Sequence, residues 1–275
     1  MQARRTAVID PADTPVGASV AVFLAREGFD VAVLGERAGE LQNLAVDVLR
    51  HGGRTLAIEV DHRELSNLTD AAAEVERHLG PIELWIAIES VAPKSHGSIE
   101  LSTSPILNGL VAAAQVMATE TGVIIAICPA LGVRADPGMP AQSAAAFATR
   151  GLLQCVRTSL LQRPSSPRLT TLVVPTTTLS ASGGDGDDDA EREADLLAVS
   201  NGIRRALRTR RATRAAGWDT WVTVQCARFA PRIFDHVQAR LPMTRSNAAT
   251  SVTVRQLGDA TKDRARELLH LGPAS

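Results

Sequence analysis

Side chains able to move protons near neutral pH are sparse in this chain, and several fall close together. Glu89, Lys94 and His96 share one short stretch, and Asp136 lies further along. A carboxylate, an ammonium and an imidazole gathered in one crevice could divide general acid–base work between them. Histidine titrates near neutrality, and burial or neighbouring charge tunes the other groups. The same residues on a solvated loop need no chemistry at all, and that is the plainer reading. Cys128 is a candidate nucleophile, but no base sits at local spacing from it, so a buried core thiol is the simpler account. No ligand-like spacing of cysteines occurs, and no metal site is expected.

The elements that would hold these residues follow from hydrophobic periodicity. Short β-branched runs at Thr6 to Ile9, Val31 to Leu34, Thr55 to Val60, Leu84 to Ile88, Gly122 to Cys128 and Leu169 to Val174 read as strands. Between them lie stretches of helical spacing: Val16 to Gly28, Ala38 to His51, about Leu65 to Leu79, one through Val111 and Met117, and Ala141 to Leu161. Strands this apolar, separated by helix-length segments, require a parallel sheet covered on both faces. Right-handed crossovers then make a single-domain, doubly wound, Rossmann-like α/β fold the economical topology.

Past the sixth strand the pattern breaks. Residues 176–193 are rich in threonine, serine, glycine and aspartate, and read as a flexible acidic loop. A helix resumes near Glu193 to Thr209. Residues 210–275 read as an irregular extension packed on the sheet, with a strand at Trp221 to Cys226 and a short helix at Ile233 to Leu241. Trp218, Trp221, Phe229 and Phe234 would close core over the sheet edge.

Composition sets the limits. The 275 residues are 45% hydrophobic and 21% charged, with a formal net charge of -1. That suits one sizeable core and gives no general attraction to nucleic acid or anionic membrane. Arg204, Arg205, Arg208, Arg210, Arg211 and Arg214 read as the solvated face and end of a helix. Three scattered cysteines (Cys128, Cys155 and Cys226) and the lack of a secretion signal or membrane span point to a reduced, cytoplasmic protein.

The order of elements, with Arg37, Leu41, Asp61, Gly80-Pro81-Ile82, Gly151-Leu152 and the run Gln142 to Ala148, resembles the short-chain dehydrogenase/reductase family over residues 5 to 175. What that resemblance implies for chemistry is mostly loss. Such proteins cradle a dinucleotide on glycines after the first strand. Here the matching segment is Asp10-Pro11-Ala12-Asp13-Thr14-Pro15-Val16-Gly17, so two glycine positions hold proline and Gly17 alone survives. Proline has no N–H to offer a phosphate. Asp13 adds negative charge near the diphosphate position, or caps the following helix.

At the end of the second strand the family's ribose-binding acid matches Gly35, followed by Glu36 and Arg37. Glu36 could reach a ribose and would oppose a 2′-phosphate, so NAD is favoured over NADP if either binds. Asp61 matches the adenine-side acid, or serves as a strand-end cap. The family's Asn-Asn-Ala-Gly turn matches Ala87-Ile88-Glu89-Ser90. Its catalytic serine, tyrosine and lysine match Pro129, Gln142 and Ala146, and its asparagine matches Asn108 or Ile106. The chain contains no tyrosine. Glutamine cannot exchange a proton near neutrality, and alanine carries no charge.

The leading expectation is therefore a protein of this fold without classical hydride transfer. It would serve as a binding, regulatory or scaffold protein with a protein or small-molecule partner, and no cofactor is expected. The alternative is an atypical NAD(P)-dependent oxidoreductase using Glu89, His96 or Gln142 for protonation, with Gly17, Glu36 and Asp61 holding the cofactor. A lyase or hydrolase reusing the crevice is a third reading. Ala112 to Ala114 and Ala141, Ala144, Ala145, Ala148 and Gly151 make two helices rich in small residues. The resemblance implies a homodimer or homotetramer through them.

Overall fold

The computed structural model describes residues 4–89, 104–117, 122–136, 138–179, 189–209, 212–216 and 220–221. Seven strands form one parallel sheet: β1 (Arg5–Asp10), β2 (Phe29–Gly35), β3 (Thr55–Glu59), β4 (Ile82–Ile88), β5 (Val123–Pro129), β6 (Arg168–Val174) and β7 (Thr213–Ala215). Their order is β3-β2-β1-β4-β5-β6-β7. The order reverses at β1, so the connections after β1 and β3 leave a crevice above the carboxyl ends of β1 and β4. That is where ligands sit in open α/β sheets.

Seven helices are described: α1 (Pro15–Arg26), α2 (Ala38–Arg50), α3 (Leu65–Leu79), α4 (Ser104–Val116), α5 (Pro140–Leu161), the short α6 (Thr176–Leu179) and α7 (Asp189–Arg208). Alternate residues of each strand face opposite layers. Ala7, Ile9, Val31, Val33, Ile86 and Ile125 pack with α1, α2 and α7. Val8, Ala32, Leu34, Trp85, Ile124 and Ala126 pack with α3, α4 and α5. Two apolar layers on one sheet explain why the strands carry no polar alternation.

Some boundaries move. Pro15 opens α1, where its missing N–H costs nothing, and Thr14 is the cap, its hydroxyl accepting from Gly17 N at 3.0 Å. Asp13 is therefore not the cap. The expected loop at 176–193 is shortened from both ends, because 176–179 form α6 and α7 starts at Asp189; 180–188 lie outside the described residues. Thr178 Oγ1 of α6 donates to Asp195 of α7 at 2.7 Å, which ties the two ends of that segment together. β7 lies inside the extension that read as irregular. The strand expected from Trp221 is not formed at Trp221, which is helical and 45% exposed. The remainder of that strand, the helix at 233–241, Trp218, Phe229 and Phe234 lie outside the described residues.

Of the basic cluster, Arg204 pairs with Glu27 at 2.7 Å across to α1 and Arg214 bonds Thr209. Arg210 and Arg211 fall outside the described residues. No helix among the described residues is long and apolar enough to cross a membrane.

Candidate functional site

The turn after β1 is packed against the strand beside it. Ala12 N donates to Leu34 O at 2.6 Å, and Gly17 sits so close to the turn that a Cβ there would run into the Pro11 carbonyl and lie 2.7 Å from Ala12 Cα. Gly17 is thus required by close helix–turn packing. Pro11 and Pro15 carry no N–H, and the amides of Ala12 and Gly17 are engaged within the chain. Three residues of the turn, Asp13, Thr14 and Val16, supply its remaining N–H groups.

Asp13 reaches across to the end of β2. Its Oδ2 accepts from Glu36 N and Arg37 N, both at 3.1 Å, and from Arg37 Nε at 3.2 Å. Arg37 also donates to the Asp13 carbonyl. The carboxylate lies on Gly35, where an added Cβ would be 2.7 Å from Asp13 Cγ. Its side chain is 7% exposed. A carboxylate from the first turn thus occupies the space above Gly35, the position matched to the ribose acid. Glu36 contributes its amide to this arrangement while its side chain is exposed. Asp61 is also exposed; its Oδ1 accepts from Arg63 N at 2.9 Å in a local turn.

Deeper in the crevice a buried pair appears that local spacing does not reveal. Asp10 Oδ1 and His62 Nδ1 are 2.8 Å apart, with side chains 3% and 8% exposed. Burial works against the imidazolium, but the bond and charge of Asp10, then Glu36 and Asp13, outweigh it and hold His62 above its ordinary value. Asp10 Oδ2 also lies against Gly109 of α4, where no Cβ would fit. Asn108 ties α4 to the same corner, donating to His62 O at 3.0 Å and Arg63 O at 2.9 Å. Asn108 therefore fastens the β3–α3 connection.

Glu89 follows β4 and is 8% exposed. Burial pushes its carboxyl up to about 7, moderated by hydrogen bonds from Thr149 of α5 and Cys128 of β5. Its Oε2 is buried without a partner. Burial pushes the Cys128 thiol well up, and Glu89 adds to this, which leaves the sulfur protonated and a poor nucleophile. Gln142 is half-buried on the first turn of α5 and is not among the Glu89 partners. Asp136 accepts from Gly138 N at 2.7 Å, and its own amide donates to Ser143, so it shapes the turn into α5. Lys94 and His96 lie outside the described residues. The expected constellation is thus represented by Glu89 alone, with Thr149 and Cys128 around it. Among the described residues no three His, Cys, Asp or Glu gather as a metal site would need.

Ala146 is buried, and the 3-10 turn at Ala130–Gly132 approaches it so closely that a Cβ on Gly132 would lie 2.7 Å from the Ala146 carbonyl. The 3-10 turn thus closes off one side of the matched lysine position. On the candidate interface helices, Ala112 and Ala113 are fully buried in this chain's own core, whereas Ala144 and Gly151 are exposed.

The sequence matches the profile of the short chain dehydrogenases over residues 5–164. The chain belongs to the short-chain dehydrogenase family. Its relatives include glycine betaine reductase ATRR of Emericella nidulans, 27% identical over 167 residues, which cover 56% of this chain and 13% of that protein. Another is the (2S)-[(R)-hydroxy(phenyl)methyl]succinyl-CoA dehydrogenase subunit BbsC of Thauera aromatica, 33% identical over 86 residues, covering 31% of this chain and 34% of the relative. The chain thus spans well under half the length of these curated relatives. Among solved structures, the alcohol dehydrogenase of Thermococcus sibiricus, complexed with 5-hydroxy-NADP, superposes with a TM-score of 0.64 at 16% identity. That match covers 77% of this chain and 95% of the archaeal one. A short-chain type dehydrogenase/reductase from Mycobacterium marinum matches at a TM-score of 0.55 and 20% identity, covering 62% of this chain and 73% of the other. Likeness at these identities shows the fold.

Proposed function

We propose that this short-chain dehydrogenase acts without hydride transfer, as a non-catalytic subunit that binds a partner. The carrying observation is the Asp13 carboxylate, held on the Glu36 and Arg37 amides and resting on Gly35. A dinucleotide seated in the ordinary way would have to displace a buried carboxylate with three donors, then place two phosphates beside it. Two prolines and two engaged amides in the turn support the same reading. The residues present do not fit a diphosphate. Pro129, Gln142 and Ala146 offer no proton donor of suitable strength near a substrate carbonyl. BbsC of Thauera aromatica is itself a dehydrogenase subunit. The exposed small residues Ala144 and Gly151 on α5 are the surface through which a second short-chain dehydrogenase chain, identical or related, would dock.

Calorimetric titration of the purified protein with NADH and NADPH tests the reading. No saturable heat in the low-micromolar range is expected. Tight one-to-one binding would instead favour an atypical oxidoreductase. One observation favours that second reading: a carboxylate over Gly35 lies where ribose hydroxyls would reach it, and it would select NAD over NADP.

A further inference from the structure

A second cavity opens between α5, the end of β5 and the β6–β7 edge, away from the Asp13 corner. Its volume is about 110 Å³, far above the roughly 15 Å³ that one water needs. Pro129 and Ala146, the positions matched to the family's serine and lysine, form part of its wall. A serine hydroxyl and a lysine ammonium are missing there, but positive charge is not. Arg150 and Arg157 project from α5 two turns apart into this space, joined by Gln154, Thr171 and Thr213. Among the described residues the lining contains no carboxylate.

Among the described residues, each guanidinium is held by neutral acceptors, which do not compensate its charge. Arg150 Nη1 donates to Gly132 O at 3.1 Å, and Arg157 Nη2 donates to Thr171 Oγ1 at 2.9 Å and Ala212 O at 3.0 Å. Arg157 Nε is buried and has no partner. Burial and the charge of Arg150 both press Arg157 below its ordinary value. Two like charges lining one cleft, with an orphaned buried donor on Arg157, are stabilised by an anion. A guanidinium fork matches the geometry of a carboxylate or phosphate group.

We infer that this cleft is a binding site for the oxyanion group, phosphate or carboxylate, of a small ligand, held between Arg150 and Arg157 with the Thr171 and Thr213 edge beside it. The site is separate from the dinucleotide corner and stands whether or not that corner is closed. It gives the fold a ligand pocket at the place its catalytic side chains have vacated.

Inorganic phosphate and sodium acetate serve as probes, each titrated against the full chain at constant ionic strength while Tm is followed. A saturable rise in Tm is expected with at least one of them, and the tighter probe assigns the group. Arg150→Gln removes an exposed cation and should weaken the apparent affinity at least about tenfold. Gln154→Glu places a carboxylate on the rim; it should raise Tm without anion and abolish the response to added anion. A linear, unsaturable response to both probes in the wild type, or an unchanged response in both variants, would overturn the inference.

Discussion

Replacing Glu89 by glutamine should stabilise the protein above neutral pH and leave it unchanged in acid. Glu89 is 8% exposed and its carboxyl is raised from 4.5 to about 7 by burial. The sign follows from proton counting. Below pH 4.5 the carboxyl is protonated in both folded and unfolded chains, so it contributes no pH dependence. Between 4.5 and 7 the unfolded chain releases the proton while the folded chain keeps it, and stability falls. Above about 7 both are ionised and the loss levels off. A pKa displacement of this size corresponds to roughly 3 kcal/mol at the plateau. Glutamine keeps an oxygen able to accept from Thr149 and Cys128, and it never ionises. Urea unfolding of wild type and Glu89→Gln between pH 4.5 and 8.5 should give curves that meet at the acid end. They should separate by about 2–4 kcal/mol at the alkaline end. His62, held above its ordinary value, also stabilises at low pH and loses this contribution as pH rises through its folded pKa. It does so in both proteins, so the difference curve isolates Glu89. Parallel curves, or a variant less stable at pH 8, would refute a desolvated carboxyl.

Three further outcomes are expected. Gly17→Ala should cost about 2 kcal/mol or more in chemical denaturation, because its Cβ meets the Pro11 carbonyl and Ala12 Cα, which are backbone and cannot swing aside. Asp13→Ala should lower stability by roughly 1–3 kcal/mol through loss of a charged acceptor for two amides and Arg37, measured by the same unfolding assay. The double variant Gln142→Tyr with Ala146→Lys should yield no NAD(P)H oxidation above background with carbonyl substrates, assayed by loss of nicotinamide absorbance. It should also unfold at lower Tm, because Gly132 packs against Ala146.

The fold was readable because its signals are local. Five strands (β1, β2, β4, β5 and β6) are apolar runs buried on both faces, the edge strand β3 is apolar but only half-buried, and α3 coincides with its periodic stretch at Leu65–Leu79. β7 escaped because Thr213-Arg214-Ala215 is three residues at an edge with no apolar run to mark it. The site was legible as a set of losses, since a matched position shows a missing tyrosine or glycine directly. What replaced those residues was not legible. Asp13 meets Glu36 and Arg37 from another strand's end, so its neighbour Thr14 took the capping role that local spacing gave to Asp13. His62, in the β3–α3 connection, finds Asp10 at the end of β1, and Glu89, just after β4, finds Thr149 of α5, partners that only folding brings together. The arginine pair on α5 carried no motif; spacing by two helical turns shows a shared face, but the cleft before it comes from β6 and β7.

The most direct test is a crystal structure of the protein grown with saturating NADH. Asp13 should remain on the amides of Glu36 and Arg37, with no dinucleotide over the turn at residues 11–17. Density for an extended dinucleotide whose phosphates rest on that turn, with the Asp13 carboxylate swung away from Gly35, would contradict it.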